Sequence, residues 1–222
     1  MTAPPLVVLY SGGKDSNYLV NRLRQDRAKT PIILLCTWRE SDGRVPLQGI
    51  HVDLVKRQAD ALGLELIDVP LPGQCDNATY LLRLDQALQP LATRGCRQVA
   101  CGDLHLADIR QWREASFSRL GFEAVFPLWG ESIKTLAGEM AGPGWSITVT
   151  SIDTERLPQS MLGEEYDAAF LDALPPGVDW CGENGEFHTF VHHGPGFRHP
   201  VEARNPGTVL VGDRFRLLDL RV

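Results

Sequence analysis

The chain has no apolar run long enough to cross a membrane. Its longest uncharged apolar run, Pro31 to Trp38, is far short of the roughly 20 residues that a span requires. The N-terminus lacks the basic flank of a secretory signal, so a cytoplasmic location and no membrane partner are expected. Cysteine is sparse: Cys36, Cys75, Cys96, Cys101 and Cys181 are five in number and include no C-x-x-C pair. That argues against a disulfide framework and against the usual zinc and iron-sulfur spacings, and leaves reduced thiols. Positive charge is not in excess either. With 22 Lys and Arg against 28 Asp and Glu, the formal net charge is -6, which removes the general attraction to nucleic acid. Internal repeats and low-complexity tracts are absent as well. What remains is a 222-residue chain, 43% hydrophobic, with ordinary capacity to bury a core.

Apolar patterning alternates between strand and helix over the first two thirds. Leu6 to Tyr10 and Pro31 to Trp38 read as buried strands, Leu64 to Pro70 as a third, Gln98 to Cys101 as a fourth and Ala124 to Phe126 as a short fifth. Helices are expected over Ser16 to Asp26, from about Ile50 to Leu62 with its end at Gly63, from Asn77 to Leu91 with Pro90 interrupting the last turn, and over Leu106 to Leu120. Repeated β-α units predict an α/β fold with a doubly wound, mainly parallel sheet, because parallel neighbours need crossover connections. Ser132 to Met140 then reads as a helix and Trp145 to Ile152 as a strand. Gln159 to Leu174 is expected to be helical from the fourfold spacing of Leu162, Tyr166, Phe170 and Leu174. Two strand-like runs joined at Gly212-Asp213 close the chain as a hairpin. The expected division is a nucleotide-binding domain over residues 1–130 and a smaller C-terminal α+β domain over residues 131–222.

The segment Ser11-Gly12-Gly13-Lys14-Asp15-Ser16 falls between the first strand and the first helix. Two glycines permit close approach of backbone to an anion. The serines and the free amides of the helix start can donate to phosphate oxygens, and Lys14 adds a compact positive charge. Asp15 is suited to hold Mg²⁺ bridging phosphates. The spacing is not that of the kinase and GTPase phosphate loop.

Two further segments carry chemistry. Gly102-Asp103 follows a buried strand at the carboxyl edge of the sheet, where open α/β folds bind ligands. Asp103 could take metal or ribose there, and Arg110 or Arg113 on the following helix could meet an α-phosphate or a carboxylate. Glu114 stands four residues after Arg110, as a holding partner would, while Trp112 and Trp129 read as packing residues. Farther on, Glu183, Asn184, Glu186 and His188 concentrate acid, base and amide groups within six residues. If the chain is extended from Glu186, then Glu186 and His188 share a face, and one carboxylate could accept the proton of an amine nucleophile. Cys36 reads as a core residue, His51 as a capping or surface group, and Arg39 to Arg44 as a charged loop over the sheet edge.

The S-G-G-K-D-S string and its position resemble the PP-loop ATP pyrophosphatases, which have a Rossmann-like domain of the HUP type and cleave ATP between its α and β phosphates. Gly102-Asp103-Leu104 with Asp108-Ile109-Arg110 and Phe126-Pro127-Leu128-Trp129-Gly130 resembles the middle signature of the diphthine-ammonia ligase family. Cys181 to Phe190, with Gly194-Pro195 and Phe197, is similar to that family's C-terminal signature. Glu183-Asn184-Gly185-Glu186-Phe187-His188-Thr189 replaces the E-G-G-E-Y-E-T of eukaryotic and archaeal ligases and looks like a bacterial branch.

The resemblance implies ATP and Mg²⁺ as cofactors and adenine against the main chain at Leu35, Cys36 and Thr37. It also implies nucleotide contacts from Ser11 to Ser16, Gly102 and Asp103, with Lys14, Asp15, Asp103, Arg110, Glu183 and Glu186 serving the reaction. Arg113, Glu183, Asn184, Glu186 and His188 would serve the substrate. The expected activity is amidation of a small-molecule or protein-bound carboxylate through an acyl-adenylate. Ammonia or an amine is the donor, since no glutaminase nucleophile accompanies the loop. A PP-loop tRNA sulfur transferase and an adenine-nucleotide sensor without turnover are the alternatives. The oligomeric state stays open, a homo-oligomer included.

Overall fold

The computed structural model describes residues 3–222. Strands β1 (Leu6–Leu9), β2 (Ile32–Arg39), β3 (Glu65–Leu71), β4 (Gln98–Ala100) and β5 (Glu123–Val125) form a parallel sheet in the order β3-β2-β1-β4-β5. Helices α1 (Lys14–Asp26), α2 (Val52–Leu62), α3 (Asn77–Thr93) and α4 (Ala107–Arg119) supply the crossovers. Alternation along the strands divides the core. Val8 and Leu34 pack with Leu19 and Val20 of α1 and Leu54 and Val55 of α2. Val7, Ile33 and Val99 face the other way, against Leu84 and Leu88 of α3 and Phe117 of α4. The sheet is therefore covered on both faces, which is why its strands are apolar without a polar side.

After α5 (Ile133–Met140), the strands β6 (Ser146–Asp153), β7 (Phe187–His193), β8 (Thr208–Val211) and β9 (Phe215–Leu218) form a smaller antiparallel sheet, ordered β7-β6-β9-β8. Its inner residues Ile147, Val149, Phe187 and Phe190 join the same cluster as β1, α1 and α2. The two sheets thus share one core, with α1 between them.

Two helical expectations need correction. Pro90 does not interrupt the last turn of α3, which runs through it, past Leu91, to Thr93. Proline removes only the bond to the carbonyl of Gln86, and both residues lie on the exposed side, where water can take that acceptor. Gln159 to Leu174 is not one helix. A 3-10 turn (Gln159–Met161) is followed by extended Leu162 and by Gly163 at φ +90°. The next residues run along β6, with the Tyr166 amide donating to the Ile147 carbonyl at 2.8 Å, and only α6 (Ala168–Ala173) is helical. Tyr166 and Phe170 still pack inward, so apolar positions spaced like a helix are buried by a different backbone.

Candidate active site

The crossovers leave the sheet on opposite sides at β1 and β4, and in such sheets the carboxyl ends of the strands open into a crevice at that switch point. Here they border a cleft of about 820 Å³, within the ~300–1,000 Å³ usual for ligand sites. Ser11, Gly13, Lys14, Asp15 and Ser16 form its floor after β1. Leu35 and Thr37 contribute from β2, Gly102 and Asp103 from the end of β4, and Glu183, Asn184 and His188 from the second sheet and the loop before it. Among the described residues no helix is long and apolar enough to cross a membrane.

The loop after β1 is fixed from within and from behind. Gly12 takes φ +81°, a conformation that costs glycine little. A side chain there would collide with Gln58 and Ile50. The Gly12 carbonyl accepts from the Gln58 side-chain amide at 2.9 Å, and the Gly13 carbonyl accepts from Asn17 at 2.9 Å and from the Ser16 hydroxyl at 3.0 Å. Gly13 is the N-cap of α1 without a capping side chain, which leaves the helix start open toward the cleft.

Lys14, the compact positive charge of the loop, is held inside the wall of the cleft. Its side chain is 2% exposed. The ammonium donates to Asp15 at 2.9 Å and to the Cys181 carbonyl, and it lies 5.6 and 5.4 Å from the ring centres of Tyr166 and Phe187. Burial by itself would lower its pKa, but Asp15 foremost, with Cys181 and Glu183, more than offsets this, and the net shift is upward. The Lys14 charge is therefore built into the wall of the cleft.

Asp103 accepts from Arg113 Nε at 3.1 Å. Burial works to lower the Arg113 pKa, and Asp103 reverses that, leaving it raised. Glu183 Oε1 accepts from the Leu104 amide at 3.0 Å, so the loop before β7 is tied to the loop after β4. Burial, reinforced by repulsion from Asp15, pushes the Glu183 carboxyl up to about 7. Burial, with Lys14 nearby, pushes His188 down to about 4, so its imidazole is neutral at physiological pH. A carboxyl poised near neutrality beside a cation is what proton transfer from an attacking amine needs.

Four sequence-derived site residues stand outside this cleft. Arg110 pairs with Glu114 at 2.8 Å and covers the rings of Phe126 and Trp129 at 5.0 and 4.8 Å. Only about 60° of helix separates it from Arg113, so these contacts, and not the helix spacing, hold Arg110 out of the cleft. The Cys36 side chain is buried in the core opposite Leu35 and Thr37, which border the cleft. Gly12 shapes the loop from behind. Glu186 is 1% exposed, precedes β7, and accepts from the Asp179 amide at 3.2 Å, the Asn184 amide at 3.1 Å and the Asn184 side chain at 3.2 Å. His188 borders the cleft and Glu186 does not: β7 begins only at Phe187, and the Glu186 carboxylate is spent on anchoring the turn that presents Glu183 and Asn184.

Other residues were missed. Thr189 accepts from the Lys14 amide at 3.0 Å, while Gln48, Tyr80 and Trp112 line the cleft, with the Tyr80 and Trp112 rings 5.9 Å apart. His51 is a cap, accepting from the Asp53 amide. The segment from Arg39 to Arg44 is folded back on itself, since Arg39 and Arg44 form a bridge and Arg44 is buried against Asp219.

A family model for the diphthamide synthase N-terminal domain matches residues 5–124, and one for the diphthamide synthase C-terminal domain matches residues 132–209. The chain belongs to the diphthamide synthase family. These domains place it among the PP-loop ATP pyrophosphatases. Among solved structures, that of a predicted subunit of tRNA methyltransferase from Methanocaldococcus jannaschii is 15% identical, covering 84% of this chain and 96% of that one at a TM-score of 0.45. No curated protein sequence matches this diphthamide synthase relative. Among its described residues no group of three or more His, Cys, Asp or Glu side chains could hold a metal by itself. Asp15, 29% exposed at the cleft, is the one loop carboxylate, and Mg²⁺ carried on phosphates needs only one or two protein carboxylates. The donor set therefore fits Mg²⁺ that arrives with a nucleotide.

Proposed function

We propose that the protein is an ATP-dependent amide-forming ligase of the PP-loop type. ATP lies with its phosphates over Ser11 to Ser16 and its adenine toward Leu35 and Thr37. A small-molecule or protein-bound carboxylate enters between the sheet edge and the Cys181 to Thr189 segment. One carboxylate oxygen attacks the α-phosphorus, the bond to the bridging α,β-oxygen breaks, and pyrophosphate leaves. Ammonia or an amine then attacks the acyl carbon, and the bond from that carbon to the AMP oxygen breaks. Mg²⁺, held at Asp15, would neutralise phosphate charge.

Lys14 stabilises charge on the phosphates from the wall, because a fixed cation in a partly desolvated cleft needs little reorganisation. Arg113, oriented by Asp103, is placed to orient a carboxylate or the α-phosphate. Glu183 accepts the proton that the nitrogen loses. The observation that supports this reading best is Glu183 itself: a carboxyl pushed up to about 7 in the same cleft as the phosphate loop. Release of AMP and pyrophosphate, measured with candidate carboxylates and ammonium and then without either, tests it. ATP binding without any turnover would favour a nucleotide sensor instead.

A further inference from the structure

Leu47 is the one non-glycine residue with positive φ among the described residues, at +69°. The Gln48 amide donates to the Pro46 carbonyl at 2.9 Å, so Pro46, Leu47 and Gln48 form a γ-turn of the rare positive-φ kind, which is strained for a leucine. Packing does not repay the strain. Leu47 is 72% exposed, the most of any large hydrophobic side chain described.

The turn is nevertheless fastened on both sides. Val45 is buried before it. The Gln48 carbonyl accepts from the Thr150 hydroxyl of β6 at 3.3 Å. Gly49 follows at φ +69° with the Leu217 side chain of β9 packed against it, and Arg44 holds the Gly49 carbonyl. Strain kept in place by the surrounding structure marks a position set by function. What this turn sets is the direction of Gln48. Its side-chain amide nitrogen lies 3.6 Å from the point where a Cβ on Gly13 would sit, and both residues line the cleft. Among the described residues, Gln48 forms its hydrogen bonds through its main chain, leaving the carboxamide available to a ligand.

We propose that Gln48 is a nucleotide-binding residue whose carboxamide donates to a phosphate oxygen of ATP seated over Gly13. The need for an outside donor follows from the loop. The Lys14 amide, one of those a helix start ordinarily offers to an anion, is taken by Thr189, and part of the Lys14 ammonium is taken by Cys181. Gln48 replaces that lost capacity with a neutral donor from the opposite side.

The inference rests on the proposed ATP site, and calorimetric titration with Mg-ATP and with adenosine separates the two. Gln48→Glu keeps the shape but exchanges a donor for an anionic acceptor. It should weaken ATP binding by roughly tenfold or more and leave adenosine binding unchanged. Gln48→Ala should weaken ATP by about threefold to tenfold, and it serves if the glutamate variant does not fold. Leu47→Gly, which adopts positive φ freely, should keep ATP affinity within about twofold. Wild-type protein that binds no ATP would overturn the ligase reading and this inference together. Wild-type binding that is matched by folded Gln48→Glu and Gln48→Ala would overturn the role of Gln48 alone, as would equal loss of ATP and adenosine.

Discussion

The Thr189 hydroxyl accepts a 3.0 Å hydrogen bond from the backbone amide of Lys14, across 175 residues of chain. The amide is the first of α1 and the hydroxyl belongs to β7, so the second sheet holds the open end of the helix on which the phosphate loop depends. This contact makes the two sheets one site.

Thr189→Val keeps the shape and removes the acceptor. A buried amide left unpaired costs about 1–3 kcal/mol, so denaturant melts should show a loss of that size, and Thr189→Ser should restore most of it. An unchanged midpoint in the valine variant would mean that Thr189 does not hold the start of α1.

Glu183 should leave its mark on pH dependence. Turnover is expected to rise with an apparent pKa of about 7, and Glu183→Gln should lower it by about 10²-fold or more and flatten the profile in that range. Stability carries a separate sign. The folded state retains the Glu183 proton between the ordinary value of 4.5 and about 7, where the unfolded state has lost it, so this group makes stability fall as pH rises through that window. His188 acts oppositely between about 4 and 6.5, because there the unfolded state binds the extra proton. Thermal melts of wild type and Glu183→Gln compared across pH 4.5 to 7 isolate the first effect, and parallel curves would contradict it.

Glu186→Gln should behave as a structural variant. Its carboxylate accepts three hydrogen bonds, and glutamine would turn an NH₂ toward at least one of those donors. A melting temperature lowered by several degrees, consistent with about 1–3 kcal/mol, should accompany near-normal turnover per folded molecule. Arg110→Ala should change turnover by less than about twofold, since an exposed helical ion pair contributes little. A large turnover loss in stable Glu186→Gln protein would return Glu186 to the reaction.

The parallel sheet was legible because β1, β2 and β4 are buried on both faces and bear the composition that this requires, with glycines or caps between them. The phosphate loop was legible because its residues are contiguous. Asp103, Arg113 and Glu183 were found for a related reason: short local patterns placed each at the end of a strand or on the helix or loop beside it. Separating Arg113 from Arg110 required knowing the partner each guanidinium finds, Asp103 for one and the Phe126 and Trp129 rings for the other, and placing Glu186 behind the cleft required knowing its bonds to the turn before β7. Thr189 stood within the C-terminal signature without a role assigned to it, and Gln48 had no local signature. Their parts come from contacts with Lys14 and Gly13 that only the folded chain creates. Tyr166 was placed on a helix for the converse reason, because a fourfold apolar spacing records burial and not the backbone that achieves it.

On the proposed reading, the cleft couples α,β-cleavage of ATP to amide formation. The decisive measurement is chromatographic analysis of nucleotide products, with a panel of carboxylates in the presence and absence of ammonium. AMP and pyrophosphate should appear in equal amounts, dependent on a particular carboxylate, and amide should form only with ammonium or an amine. ADP and orthophosphate as the sole products would contradict that coupling.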